Sequence, residues 1–157
     1  MRRSLPWVVC FALLAGVLAS GCGTTTDENA SLAATKLHGS KARIKIYRTQ
    51  ELASSGVAAS VKVDGRQLAS LGVGGSTLLD VSAGSHKISI EGGMHPNAYV
   101  ITLQAKPGML YALEISPRSE AVVAGMFGLV GMMVEASVNE NGGPFQVGVA
   151  EANPLNR

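Results

Sequence analysis

Apolar and polar residues alternate along short stretches of this chain, for example in Val61–Val63 and Ile88–Ile90. Alternation at a period of two places successive side chains on opposite faces of a β-strand, so one face can meet a core while the other meets water. Both stretches lie within Ser60–Glu91, which also contains turn signals at Asp64-Gly65 and Ala83-Gly84. Asp and Gly tolerate the positive φ angles that tight turns require. The pattern predicts a β-meander, with positive φ at Gly84, around which the rest of the chain is organised.

The same pattern predicts strands on both sides of this meander. The predicted strands are residues 43–48, 57–63, 67–71, 77–81, 86–91, 99–104, 110–115 and 145–149. In the first of them, Ile44 and Ile46 share one face and the polar residues share the other. Short strands at regular spacing, with no amphipathic helix before residue 120, are typical of an all-β, antiparallel β-sandwich. We therefore predict a sandwich domain over residues 41–150, followed by a tail at residues 151–157.

One segment departs from the alternation. Ala121–Val134 is an uncharged, apolar run of 14 residues that contains three glycines. As a helix it would be about 21 Å long, shorter than the roughly 30 Å hydrocarbon core of a bilayer, so we do not predict a membrane span. Three interpretations stay open: part of the sandwich core, a docking surface for a partner or another copy, or a segment resting on a membrane. The residues of this candidate interaction surface are Met126, Phe127, Leu129, Val130, Met132 and Met133.

The first 21 residues have the features of a secretory signal peptide. Arg2 and Arg3 precede an uncharged apolar run from Leu5 to about Ala19, and small residues follow it. A basic start, an apolar middle and small residues before a cleavage point define such a peptide. The apolar run is too short for a comfortable membrane span. Residues 1–21 are therefore predicted to be removed from the mature protein.

The sequence Leu18-Ala19-Ser20-Gly21-Cys22 leads small residues directly into a cysteine. It resembles the lipobox of bacterial lipoproteins, in which the cysteine becomes the lipidated first residue of the mature protein. The residue three before the cysteine is usually Leu and is Ala19 here. The resemblance implies a lipoprotein with palmitate at Cys22, and Gly23 in place of Asp implies sorting to the outer membrane. The alternative is an ordinary signal peptide with a chance cysteine.

Residues 22–40 are mostly small and polar, without a sustained apolar period. Such a composition favours a flexible tether between the anchor and the domain. Cys10 falls in the predicted signal peptide and Cys22 is assigned to lipid, so no disulfide is expected in the mature domain. The stability of the domain must then come from packing. With 4% aromatic residues, the core is expected to consist of Val, Ile, Leu, Ala and Met.

Charge and motifs exclude several classes of function. Of 13 basic residues two are Arg2 and Arg3, which leaves 11 against 11 acidic ones and no electrostatic case for nucleic-acid binding. His86, Glu91 and His95 lack the spacing of a metal site, and His86 is expected to pack or to hydrogen-bond the backbone. The loop at residues 72–75 lacks the Lys-Ser/Thr of a phosphate loop. We predict no catalytic residues, no metal and no cofactor, and thus no enzyme.

Four motifs occur in order along residues 41–150. They read R-I-K-I-Y-R, V-K-V-D-G, L-L-D-V-S-A-G-S-H-K-I-S-I and L-Q-A-K-P-G-M-L-Y-A-L-E-I. Together they resemble an uncharacterised family of small bacterial lipoproteins, a domain of unknown function, and the wider PEGA-type group of surface β-domains. The resemblance implies an Ig-like or PEGA-like β-sandwich on a lipid tether. Its motifs are mostly turn chemistry, and the family supplies no catalytic residues.

These observations predict a lipid-anchored cell-envelope protein at the outer membrane, facing the periplasm. Its domain is expected to act as a non-enzymatic interaction or structural module, with an envelope protein or another copy as its partner. The alternative is a periplasmic binding module for an envelope glycan or small ligand. Exposed aromatics on one face would support that alternative, and Tyr47, Tyr99 and Tyr111 are the tyrosines available.

Overall fold

A computed structural model describes residues 25–51, 55–93, 95–119 and 141–155. These residues are mostly β, as the alternation predicts. The elements are α1 (Thr25–Ala34), β1 (Lys41–Arg48), β2 (Ala59–Val63), β3 (Arg66–Leu71), β4 (Ser76–Ser82), β5 (Gly84–Gly92), β6 (Tyr99–Ala105), β7 (Met109–Pro117) and β8 (Phe145–Pro154).

The described strands form two four-stranded sheets. Sheet A has the order β4-β1-β7-β8, and sheet B has the order β3-β2-β5-β6. Neighbouring strands are antiparallel except β1 and β7, which are parallel. The coarser part of the fold prediction is therefore confirmed: the described residues are mostly β and form two antiparallel-rich sheets, consistent with a β-sandwich. The parallel pair β1–β7 departs from the predicted antiparallel arrangement.

The core consists of the apolar faces of both sheets. Ile44 and Ile46 are fully buried, as their shared face predicts. The other large side chains with no exposure are Val61, Ile88, Ile90, Leu113, Ile115 and Phe145. Each contributes about 1.5–3 kcal/mol relative to an exposed position. The core is thus almost entirely aliphatic, with Phe145 near one end.

The prediction that Ser60–Glu91 is a meander is wrong. β2 is flanked by β3 on one side and by β5 on the other, so β4 has no neighbour in sheet B and pairs instead with β1 in sheet A. Arg43 and Asp80 lie opposite each other in that pairing. The Arg43 guanidinium donates two hydrogen bonds to the Asp80 carboxylate, at 2.7 and 2.9 Å, and these bonds raise the pKa of Arg43. The bidentate pair fixes the register between β1 and β4.

The link from β4 to β5 carries the chain from sheet A to sheet B. Gly84 has φ +135°, which confirms the predicted positive φ. The β2–β3 hairpin also has the predicted turn, with φ of +50° at Asp64 and +79° at Gly65. The turn residues therefore mark the places where the chain reverses, although they do not reveal which strands become neighbours.

Two predicted boundaries need correction. The tether predicted at residues 22–40 contains the helix α1, which packs beside β4. The tail predicted at residues 151–157 begins too early, because β8 continues to Pro154 in its pairing with β7. The second half of β8 has no buried face that a sequence pattern could report, because residues 148–154 are all exposed and backbone pairing alone continues the strand.

The two ends of the sandwich differ in their connections. β1, β3, β5 and β7 all end on the same side of the sandwich, and we call this side the loop end. Its described residues are 49–51, 55–58, 72–75, 93, 95–98, 118–119 and 141–144. The opposite end, which we call the hairpin end, contains the tight turns at residues 64–65, 83 and 106–108.

Candidate functional site

The residues that the sequence singles out as functional lie outside the described ranges. Cys22 precedes the first described residue, Thr25, by three positions. The candidate interaction residues, Met126, Phe127, Leu129, Val130, Met132 and Met133, all lie in the chain between Ser119 and Asn141. Ser119 and Asn141 both belong to the loop end. We therefore take the loop end as the candidate interaction surface.

Arg48 holds the loop end together from inside. It is the last residue of β1 and shares the core face with Ile46, with 2% of its surface exposed. Its guanidinium donates hydrogen bonds to the carbonyl oxygens of Val57 and Leu71, the second at 3.1 Å. The same group stacks on the Phe145 ring, 4.5 Å from the ring centroid. Burial lowers the pKa of Arg48. One side chain thus joins three segments of this end.

Arg118 fixes the segment that leads into β8. It is buried, and its guanidinium donates to the Gly143 carbonyl at 3.0 Å while its backbone N–H donates to the Pro144 carbonyl at 3.0 Å. Gly92 gives this segment room, because a Cβ at Gly92 would overlap Pro144 and lie 2.6 Å from the Phe145 ring. Arg118 therefore joins the end of β7 to the described residues that precede β8.

Two asparagine side chains bond the main chain of edge strands. Asn29 in α1 donates to the Ser76 carbonyl at 2.8 Å and accepts from the Leu78 N–H at 2.9 Å, on the edge strand β4. Asn141 accepts from the Val100 N–H at 2.6 Å and donates to its carbonyl at 3.2 Å, on the edge strand β6. Each carboxamide takes the place of a neighbouring strand. Edge strands are templates for unwanted pairing, and these contacts occupy part of both edges.

The loop between β3 and β4 forms a corner of the loop end. Gly72, Gly74 and Gly75 line a groove with Asn29, so this loop lies beside the middle of α1. Val73 is at the tip of the loop and is 37% exposed. The glycines are here part of a tight turn, with φ +70° at Gly74 and a bond from the Gly75 N–H to the Gly72 carbonyl.

The three tyrosines do not form a shared aromatic face. Tyr111 is buried, and its hydroxyl accepts from the Lys106 N–H and donates to the Gln104 carbonyl. The Tyr47 hydroxyl donates to Glu114 at 2.9 Å, which raises the pKa of Tyr47. Tyr99 lines an open groove of about 360 Å³ beside β8, together with Glu114, Ser116 and Gln146.

At the hairpin end, the two ring nitrogens of His86 each contact a hydrogen-bond acceptor. Nδ1 of His86 lies 2.7 Å from the Asp64 carboxylate, and Nε2 lies 2.9 Å from the Ser82 carbonyl oxygen. Both acceptors lack a proton to give, so both bonds form together only when His86 is the doubly protonated imidazolium. The bond to Asp64 raises the pKa of His86, and the bond from His86 lowers the pKa of Asp64. His86 thus has the hydrogen-bonding role that its sequence context predicts.

The stability conferred by this pair should depend on pH. His86 has a raised pKa in the fold, so its contribution is complete below its ordinary value of 6.5 and is lost as the pH rises through the raised pKa. Asp64 has a lowered pKa, so its contribution is present above 3.8 and is lost as the pH falls through the lowered pKa. Asp64→Asn should therefore lower the melting temperature more at about pH 5.5 than at about pH 9.

Asn tolerates positive φ at position 64, so this substitution tests the charge and leaves the turn intact. His38→Gln is the matched control, because His38 is exposed and its ring bonds Ser40. A difference between wild type and Asp64→Asn that stays constant from about pH 5 to pH 9 would show that the ion pair does not carry the effect.

The described part of the chain has no group of three or more His, Cys, Asp or Glu side chains that could hold a metal ion. None of the helices in that part is both long and apolar enough to cross a membrane. Comparison with family models and with curated protein sequences finds no match to this chain.

Sequence reasoning missed Arg48, Asn29 and Asn141. Arg48 carries a usable signal, because the alternation that buries Ile44 and Ile46 also places Arg48 on the core face. The asparagines carry no comparable signal, since each bonds main chain more than 40 residues away.

Proposed function

We propose that this protein is a lipid-anchored protein of the cell envelope whose β-domain serves as a non-enzymatic interaction or structural module. One observation carries the proposal: the lipobox-like sequence ending at Cys22 lies three residues before a helix that is bonded to the domain through Asn29. An acyl group on Cys22 would hold the domain at a membrane, since each buried methylene contributes about 0.8 kcal/mol. Gly23 supports the outer membrane, facing the periplasm, as the location.

The polar groups of the described residues support a structural module. Arg43–Asp80 joins β1 to β4, Lys62–Glu91 joins β2 to β5, and His86–Asp64 joins β5 to the β2–β3 turn. Each ion pair connects neighbouring elements and thereby stabilises the fold. Catalytic groups, in contrast, converge on a cleft with perturbed pKa values and a free side towards a substrate.

The domain is further proposed to be PEGA-like. The resemblance rests on the V-D-G hairpin and on the G-S-H-K-I segment that follows the next turn. Asp64 belongs to the first motif and His86 to the second, and their side chains bond each other. Asp64 also accepts a bond from the Lys87 N–H at 2.8 Å. The two motifs therefore work as one structural unit, which gives a physical reason for their occurrence together.

A binding module for a glycan or small ligand is the second candidate. The groove beside β8 would be its site, because Tyr99, Glu114 and Gln146 could bind hydroxyl groups there. Two of its polar groups already have partners: Glu114 accepts from Tyr47, and Gln146 donates to Ser116. A ligand would have to replace these bonds, so we place this function second.

Replacement of Cys22 tests the anchor. Cys22→Ala should abolish incorporation of a palmitate analogue in bacterial cells, because no thiol is left to form the thioether. The precursor should also stay uncleaved by the lipoprotein signal peptidase. Labelling of the protein on a gel and the mass of its N-terminus are the measurements.

Cys10→Ala is the matched control, since Cys10 and Cys22 are the two cysteines of the chain. Cys10 lies in the apolar run of the predicted signal peptide, so its loss should leave labelling unchanged. Normal labelling of Cys22→Ala, or loss of labelling in Cys10→Ala alone, would refute the anchor at Cys22.

A further inference from the structure

The start of α1 lies at the loop end. Asn29 bonds Ser76 and Leu78, in the first half of β4. Ala33 and Ala34, at the other end of the helix, line a groove with Arg43, which is opposite Asp80 in the second half of β4. The helix therefore runs in the same direction as β4. Its first residue is four positions before Asn29, about 6 Å further along the axis in the direction of the loop end.

This direction limits where Cys22 can be. It is three positions before Thr25, and an extended chain spans at most about 3.6 Å per position, or about 11 Å in total. The hairpin end lies the length of a nine-residue strand away, about 30 Å. Cys22 is thus within reach of the loop end and out of reach of the hairpin end.

The two ends also differ in charge. Among the described residues of the loop end, Glu51 is the exposed charged side chain, whereas Arg48 and Arg118 are buried. Most of the other residues there are glycine, proline, alanine or uncharged polar residues, with Val73 exposed at one corner. The hairpin end has exposed charges at Asp64, Arg66, Lys87 and Lys106. The described residues of the loop end would therefore lose less hydration of charged groups against a lipid surface than those of the hairpin end.

We propose that the loop end of the domain lies directly against the bilayer that holds the lipid on Cys22, with Val73 inserted among the lipid headgroups. The proposal rests on the proposed lipid anchor and adds the face of the domain that meets the membrane. The domain then stands upright on the membrane, with its charged hairpin end turned to the aqueous compartment. The short connection from Cys22 to α1 keeps it there.

Quenching of tryptophan fluorescence can test this orientation. Its single tryptophan, Trp7, lies in the predicted signal peptide, so the mature protein has none. We would introduce one tryptophan at a time by Val73→Trp, Val149→Trp and Lys106→Trp. Val149 is the matched control, a valine with 49% exposure that lies four residues inside β8 from the loop end. Lys106 is exposed at the hairpin end.

Each lipid-bearing variant would be purified from bacterial membranes and reconstituted in phosphatidylcholine vesicles containing a brominated phosphatidylcholine. Side chains at the headgroup boundary lie about 5–10 Å deep, within reach of bromine on the acyl chain. We expect quenching of Val73→Trp at least about twofold stronger than that of Lys106→Trp, with Val149→Trp between them. Ser55→Trp, also exposed at the loop end, replaces Val73→Trp if that variant has a lower melting temperature than wild type.

Three outcomes would overturn the proposal, and they are distinguishable. Equal quenching at the two ends, or stronger quenching of Lys106→Trp, in a protein whose mass includes the acyl chains refutes the orientation and leaves the anchor in place. Absence of quenching from every position in that protein means that the domain stands away from the bilayer. A mass without acyl chains on Cys22 refutes the anchor and the orientation together.

Discussion

Replacing Arg48 with methionine should lower the free energy of unfolding by about 2–4 kcal/mol. Methionine fills a similar volume but donates no hydrogen bond. The carbonyls of Val57 and Leu71 would lose the Arg48 donor, at a cost of about 1–3 kcal/mol for each buried group left unsatisfied. The Phe145 ring would also lose its guanidinium neighbour. A urea titration of the purified protein measures the change.

Lys45→Met is the matched control, because Lys45 lies on the same strand with its side chain exposed. Its effect should stay within about 0.5 kcal/mol, as is usual for surface substitutions. Equal effects of the two substitutions would mean that Arg48 is replaceable and that other contacts hold the loop end.

Gly92→Ala should lower the free energy of unfolding by about 1–3 kcal/mol, the usual cost of overpacking a core. The added methyl group would overlap Pro144 and lie 2.6 and 2.9 Å from two ring carbons of Phe145, which is fully buried. Neither a proline ring nor a buried aromatic ring can move aside freely. Relief would require a shift of the segment from Gly143 to Phe145, which Arg118 holds.

Gly148→Ala, in β8, provides the comparison. A Cβ at Gly148 meets nothing within 4 Å, so this change should be neutral or stabilising by up to about 1 kcal/mol, because alanine loses less backbone freedom on folding. If Gly92→Ala were as harmless as Gly148→Ala, the close approach of Gly92 to Phe145 would be absent in solution.

The strands could be predicted from sequence because burial on one face imposes a period of two. This signal is strong in β1, β2 and β5, where Ile44, Val61 and Ile88 are fully buried. It fades in the second half of β8, where the residues from Val149 to Pro154 are all exposed and backbone pairing alone defines the strand. Alternation reports burial, and a strand without a buried face is invisible to it.

Strand partners could not be predicted in the same way. Arg43 and Asp80 identify the neighbours β1 and β4, but they are 37 residues apart, and nothing local marks them as a pair. Turn chemistry did locate the reversals, since Gly84 and Asp64 have positive φ where the motifs place them. A turn residue determines the backbone path of three or four residues. The sheet that a strand joins depends instead on which strands of that sheet still have an unpaired edge.

The candidate site residues named from sequence stay predictions. Composition alone identifies Ala121–Val134 as exceptional and Cys22 as a candidate anchor, both outside the described residues. Composition does not show which edge strands the neighbouring described residues contact: Asn29 bonds Ser76 on β4, and Asn141 bonds Val100 on β6. Helix α1 was not predicted because its bonds to β4 come from the Asn29 carboxamide and not from an apolar face of the helix.

The parallel pairing of β1 with β7 sets the order in which the domain can assemble. Tyr47 and Glu114 are partners in that register, although 67 residues separate them. β1 is a central strand of sheet A, so that sheet cannot close until β7 is available, and β8 must follow. Folds dominated by such distant contacts fold slowly, in milliseconds to seconds. Sheet A therefore stays incomplete until the chain has been made as far as β8, whereas all four strands of sheet B precede β7.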